Sequence, residues 1–393
     1  MTSTSPFTDI GAVINAIIAD IKATQTTQTT RPGAVIYIPP GHYPLLTTMV
    51  IDISYLQIKG AGHGFMSIGI RDGSNTSGWR ETQPGASHIS VVNSNTAAFV
   101  VQRAGDPGTN GRLNSIIFRD FCIDGLAFSP DYYVNGKVGI SVSSDSGSGH
   151  YSDNDSLKIE GMGFVYLEHA LVVQSADALT VTDNFITECG NAIELTNAGQ
   201  ACKVTNNSIG AGWIGFSIFA ENHQGLLVSG NNIFPVGRSM VHLKNCSECA
   251  VSSNKFKSYY SGMITFEGAC TENLIASNAF RRETIGGIAA PMVDDLFGLI
   301  HLAGDRNAIT GNFFSIGLAS GEVTPPGSNP TVVLVAAGVD NYLASNYLVS
   351  PGVPGKVVLD GSTTGTNVLY SARNSEFLAY GAPGTYTFQP TGG

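Results

Sequence analysis

Apolar residues along the chain fall mostly into short alternating runs, and one stretch departs from that period. From Thr8 to Lys22, Ile10, Val13, Ile14, Ile17, Ile18 and Ile21 recur at helical spacing, with Thr8 placed to cap the first turn. This predicts one N-terminal helix over residues 8–22. It suits a lid on the end of a repeat core, which would otherwise expose apolar side chains and unpaired strand edges. Beyond it, Gly33-Ala-Val-Ile-Tyr-Ile-Pro-Pro-Gly-His-Tyr43, Val50-Ile-Asp-Ile53 and Leu56-Gln-Ile-Lys-Gly60 read as short strands broken at Pro-Gly or Gly turns.

From Phe118 the pattern becomes a repeat. An apolar residue opens each turn, with an asparagine three places on and a second apolar residue five places on. Val181, Asn184 and Ile186 start the series; Val204, Val228, Val251, Ile275, Ile309 and Leu343 open its later turns. The asparagines are Asn184, Asn207, Asn231, Asn254, Asn278, Asn312 and Asn346, so the steps are 23, 24, 23, 24, 34 and 34 residues. A period in the twenties marks a solenoid whose coils cannot bury their apolar faces alone. An amide that both donates and accepts can bond its copies above and below. The two longer steps place insertions near Glu283–Asp295 and Ser320–Pro330, expected as loops over a binding face. The chain reads as one all-β domain, residues 1–393, with a tail over 375–393.

Two columns of the repeat carry candidate chemistry. The position two after each opening residue holds Asp183, Asn206, Gly230, Ser253, Ser277, Gly311 and Ser345; the outward position of the next strand holds Val172, Glu194, Ser217, His242, Thr265 and His301. One coil therefore carries two carboxylates, Asp183 and Glu194, where the others are neutral or weakly basic. The bland alternative makes Asp183 a turn cap and Glu194 a solvated surface residue. His242 and His301 share the Glu194 column, and Trp213, Phe219, Tyr259 and Tyr260 stand in adjoining coils. Carboxylates, imidazoles and rings on one ridge suit a carbohydrate groove, where rings stack on sugar faces and carboxylates do acid–base work. Glu168-His169 and Glu221-Asn222-His223 could line the same ridge, and Asp294-Asp295 falls in an inserted loop.

Composition narrows the classes. Glycine is abundant (47 residues), charged residues make up 13%, and the formal net charge is −10, which speaks against a nucleic-acid partner. No apolar run approaches a membrane span, and residues 1–6 have no signal-peptide pattern. The expected location is the cytoplasm, or outside the cell after loss of a leader. The six cysteines, including Cys246-x-x-Cys249, lack the second pair or histidines of a zinc site and are expected as small buried residues. Neither a nucleotide-binding glycine loop nor the nucleophile elbow of a hydrolase is present; Ser144–Gly149 reads as a loop.

The early strands resemble the opening turns of right-handed parallel β-helix proteins such as pectate lyases. More specific strings follow: Met162-Gly-Phe-Val-Tyr-Leu-Glu-His-Ala-Leu171, Glu188-Cys-Gly-Asn191 with Glu194-Leu195, Ala220-Glu-Asn-His223 with Gly225–Val228, and Gly230-Asn-Asn232. With Gln83–His88 and Phe118–Cys122, they resemble the inulin fructotransferases over residues 24–363, nearly the whole chain. That resemblance implies a single-stranded right-handed parallel β-helix, a homotrimer with active sites at subunit interfaces, and release of difructose dianhydride I or III from the end of inulin without added water. By the family's motif its two essential carboxylates fall on Asp183 and Glu194. Glu168, Trp213, Glu221, Asn222, His242 and His301 are the expected substrate-binding residues. No metal or cofactor is called for. A dianhydride hydrolase and a non-catalytic carbohydrate-binding β-helix are the alternatives.

Overall fold

A computed structural model of the chain describes residues 4–24, 33–65, 86–102, 113–126, 134–143, 154–234, 239–258, 262–282, 297–316, 331–349, 355–359, 365–371, 377–380 and 386–391. Both expected insertions, Tyr259, Tyr260, Asp294-Asp295 and Ser144–Gly149 lie outside these residues. The chain divides into two compact units, Met1–Ile214 and Gly215–Gly393.

The first unit opens on helix Ile10–Thr24, two residues later than expected at each end. Asp9, not Thr8, caps it: Asp9 Oδ1 accepts the Gly11 N–H at 3.0 Å and also those of Leu46 and Thr47. A shared carboxylate thus ties the helix to the first coil. Ile10, Ile14 and Ile18 face inward. Three sheets of parallel strands follow, each coil contributing one strand to each. The first sheet contains Lys158–Glu160, Thr180–Thr182 and Lys203–Thr205; the second Gly163–Val165, Phe185–Thr187 and Ser208–Gly210; the third Val138–Val142, His169–Asp177 and Asn191–Gln200. Parallel strands joined through such crossovers wind right-handed.

The register explains the repeat. Ile159, Val181 and Val204 stack in the first sheet, Phe164, Ile186 and Ile209 in the second, and Leu171 on Ile193 in the third, all fully buried. Each such side chain contributes about 1.5–3 kcal/mol on burial. Between the first two sheets the backbone turns through a left-handed residue followed by a buried asparagine. The Asn184 N–H and Nδ2 both donate to Asn207 Oδ1, at 3.0 and 2.9 Å, and Nδ2 also reaches Ile159 O.

The second unit repeats the plan. Its strands Leu227–Ser229, Ala250–Ser252, Leu274–Ala276, Ala308–Thr310 and Tyr342–Ala344 form one sheet, and Phe216–Glu221, Ser239–Lys244, Ile264–Glu267, Ile300–Ala303 and Thr331–Ala337 another. Its asparagine ladder runs Asn231, Asn254, Asn278, Asn312, Asn346. A second ladder, Asn273, Asn307, Asn341, lines another corner. Phe256, Phe280 and Phe314 stack inside at 5.0 and 4.7 Å. Within the expected tail, Phe377–Tyr380 and Tyr386–Thr391 are strands paired with Gly355–Leu359 and Thr366–Ser371.

Candidate active site

Asp183 stands in the left-handed position of its corner, at φ 58°. Every residue of its column shares that conformation: Asn206 at 57°, Gly230 at 71°, Ser253 at 57°, Ser277 at 56°, Gly311 at 64° and Ser345 at 55°. Backbone geometry therefore selects glycine and small polar residues there. Asp120, at 62° in an earlier coil, also holds this position, so Asp183 is not the only acid in the column. Its side chain is exposed, and Oδ2 accepts the Thr182 hydroxyl at 3.0 Å.

Glu194 lies on the third sheet of the same coil, opposite Val172 across the ladder. Its neighbours Ile193 and Leu195 fill the core, so strand alternation sends Glu194 outward. It is far from a solvated surface residue. Oε2 is 2.5 Å from His169 Nδ1, Oε1 is 3.4 Å from Asn191 Nδ2, and the side chain is only 15% exposed. On its other side His169 Nε2 lies 3.6 Å from Glu168 Oε1, and Glu168 Oε2 accepts the Gly136 N–H at 2.5 Å. The hydrogen bond to Glu194 is the main cause that raises His169 above the ordinary histidine pKa; burial works against it and the Glu168 charge adds to it. Glu168, expected to bind substrate, is thus occupied in holding an imidazole. Among the described residues no hydrogen bond joins Asp183 to Glu194: one sits at a corner, the other on a different sheet.

Trp213 is half buried just beyond this coil, its backbone N–H on Cys189 O at 3.4 Å. Two further polar features of this unit are not evident from the repeat pattern. Glu188 is buried at the corner between the second and third sheets, in a left-handed turn at φ 49°. His88 and Asp124 form a buried pair at 3.1 Å. His169, expected with Glu168 on the same ridge, has its ring on Glu194.

In the second unit the outward column is Phe219, His242, Thr265, His301 and Leu334. Ser217 drops out, since Phe219 is the partner of His242 and Ser217 is buried. His242 lies edge-on to Phe216 and Phe219, with Nε2 2.9 Å from Glu267 Oε2. His301 stacks on Phe297 at 4.1 Å. Burial lowers the pKa of both imidazoles. Among the described residues His242 Nδ1 and Thr265 Oγ1 are buried without a hydrogen-bond partner, which leaves polar positions inside an aromatic frame. Glu221 pairs with Lys244 at 3.0 Å, Asn222 is the left-handed residue of a corner at φ 57°, and His223 turns into the core, so these three shape the coil. All six cysteines are free and buried, and Cys246 and Cys249 each donate to backbone carbonyls.

Stacked parallel coils, each giving one strand to each of three sheets, define a parallel β-helix. The family profile described as rhamnogalacturonase A/epimerase, pectate lyase-like, matches residues 6–217. That of the periplasmic copper-binding protein NosD matches 125–316, and the β-helix repeat of inulin fructotransferase matches 276–392. The mannuronan C-5 epimerase A-module of Azotobacter vinelandii shares the fold alone, at 11% identity and a TM-score of 0.52. Similarity to DFA-IIIase from Arthrobacter chlorophenolicus A6 runs much deeper. Its structure without the lid and in complex with GF2 is 39% identical with a TM-score of 0.86, and its complex with DFA-III is 38% identical at 0.84. Each match covers 100% of this chain and 97% of that one. A curated relative, the DFA-I-forming inulin fructotransferase of Arthrobacter globiformis, is 54% identical over 390 residues, 98% of this chain and 96% of its own length. The chain belongs to the inulin fructotransferase family.

Proposed function

We propose that this protein releases difructose dianhydride from the end of inulin by intramolecular fructosyl transfer, with Asp183 and Glu194 as the reacting carboxylates. The observation that carries the reading is the 54% identity, over nearly the full length of both chains, to an inulin fructotransferase. Because that relative is named DFA-I-forming, dianhydride I is the expected product.

The chemistry needs two carboxylates. The bond from a fructosyl C2 to its glycosidic oxygen breaks through an oxocarbenium-like transition state, and an acid protonates the departing oxygen. A hydroxyl of the neighbouring fructose forms the new bond to C2 and gives up its proton to a base, so no water is consumed. That hydroxyl is held at high effective concentration, which lets ring closure outrun hydrolysis in a closed pocket. Glu194, braced by His169, takes the acid–base role; Asp183 serves as nucleophile or stabilises the cation. With the two carboxylates on different sides of one coil, the working site pairs Asp183 of one subunit with Glu194 of another, in a homotrimer.

The test assays purified protein on inulin by chromatography, with Asp183→Asn and Glu194→Gln beside wild type. Each substitution is expected to lower dianhydride release by about 10²–10⁴-fold, the range for a positioned acid or base. Near-wild-type release from either removes that residue from the site. The relatives named DFA-IIIase support one other reading, hydrolysis of the dianhydride. Incubation with purified dianhydride decides it: inulobiose as product, and none of the dianhydride from inulin, would establish the hydrolase.

A further inference from the structure

His169 is held from both sides. Glu168 cannot swing freely, because Oε2 accepts the Gly136 N–H while Oε1 faces His169 Nε2 at 3.6 Å. Across the ring, Nδ1 meets Glu194 Oε2 at 2.5 Å. Asn191, directly opposite His169 in the ladder, places Nδ2 3.4 Å from both His169 Nδ1 and Glu194 Oε1. From the preceding coil the Lys137 carbonyl accepts the His169 N–H at 3.2 Å. Among the described residues the ionisable groups facing the imidazole are thus Glu168 and Glu194, while the Lys137 ammonium is bonded to the Val91 and Gly125 carbonyls.

We propose that His169 is the positioning residue of the fructosyl-transfer site: anchored by Glu168, it binds Glu194 Oε2 and fixes Oε1 as the oxygen that meets the substrate. The inference rests on the reading of Glu194 as a reacting carboxylate. An outward glutamate on a strand has several rotamers open to it, and a committed Oε2 removes most of them. A charged imidazole hydrogen-bonds Glu194 through Nδ1 while its positive charge lies between the two carboxylates, so the array is tightest when His169 carries its second proton. Loss of that proton leaves an uncharged ring with one N–H beside two carboxylates, which loosens the hold on Glu194, and misplacement by about 1 Å is enough to cost a reaction of this kind about 10²-fold. Glu168 then acts through His169 and touches no substrate.

The experiment compares wild type with His169→Ala, His169→Asn and Glu168→Gln, each checked by thermal melting, for dianhydride release from inulin across pH. His169→Ala is expected to lose about 10²-fold in kcat with KM within about twofold. In His169→Asn the amide nitrogen takes the place of Nδ1; it should recover at least tenfold over alanine and lose the alkaline limb that imidazole deprotonation gives the wild type. Glu168→Gln, which removes a facing negative charge, should move that limb to lower pH. NMR of labelled histidine supplies a readout besides turnover: the imidazole signal that vanishes in His169→Asn should titrate above the ordinary histidine value, and lower in Glu168→Gln. If His169→Ala does not fold, the other two variants carry the comparison. Wild-type kcat and pH profile in a folded His169 variant, or a signal titrating at the ordinary value, overturns the positioning role. Wild-type protein that releases no dianhydride at all overturns the functional reading instead.

Discussion

Asp183 owes its place to the backbone and its proposed chemistry to the side chain, and one substitution separates the two. At φ 58° a glycine is at ease where any L-residue bears strain. Asp183→Gly should therefore leave the melting temperature unchanged or slightly raised while dianhydride release falls by at least about 10²-fold. Retained activity would mark Asp183 as a turn residue only. Glu194 allows a pH test. Because His169 has its folded pKa raised chiefly by Glu194, the pair's stabilisation is fully present below 6.5, the ordinary histidine value, and is lost as pH rises through the folded value. The melting-temperature advantage of wild type over His169→Asn should accordingly be largest below 6.5 and shrink above it; an advantage that grows with pH contradicts the pairing. Glu194 was visible in the sequence because strand alternation and its column are local properties. Its pairing with His169 was not, since His169 stands 25 residues earlier and only the register of adjacent coils brings its ring to the carboxylate.

At the scale of the element, the asparagine ladder is a chain of shared acceptors, and breaking one rung orphans groups on both sides. Asn278 Oδ1 accepts the Asn254 N–H at 2.9 Å and its Nδ2 at 3.0 Å, while Asn278 Nδ2 serves Val251 O and Asn312 Oδ1. All of these are buried. Asn278→Ala should destabilise the protein by about 2–4 kcal/mol, from groups left unpaired at about 1–3 kcal/mol each less local relaxation. The control is the residue before it: Ser277→Gly, at φ 56°, should stay within about 0.5 kcal/mol. Equal urea midpoints for the two variants would show that the ladder contributes nothing beyond its turn. The first ladder could be read from sequence because its asparagine keeps one offset from an apolar residue through seven coils. The second escaped because its column changes character: Cys249 stands where Asn273, Asn307 and Asn341 follow, and donates its backbone N–H to Asn273 Oδ1.

For the whole molecule, the proposed homotrimer makes a testable statement about which copies of the chain build one site. A solenoid with a repeat of 23 or 24 residues returns to the same corner at every turn, so residues eleven apart, about half a turn, fall on different sides. Asp183 and Glu194 are such a pair, and each makes its hydrogen bonds without the other. The fold was legible because a repeat is written into every coil; the proposed pairing of the acids between subunits was not, because nothing along one chain encodes the position of a neighbour. A three-fold ring has heterologous contacts, in which each subunit offers one surface to one neighbour and a different surface to the other. If Asp183 from one subunit meets Glu194 from the next, mixed oligomers of Asp183→Asn and Glu194→Gln chains contain some sites with both carboxylates intact. In random trimers at equal input, a site is intact when the first subunit carries only the Glu194 change and the second only the Asp183 change, which happens in about a quarter of sites. Co-expression with two affinity tags, followed by the inulin assay, should therefore recover about a quarter of wild-type activity per site from two nearly inactive parents. Light scattering should give the mass of three chains. Mixed oligomers as inactive as their parents would place both carboxylates in sites built within one subunit.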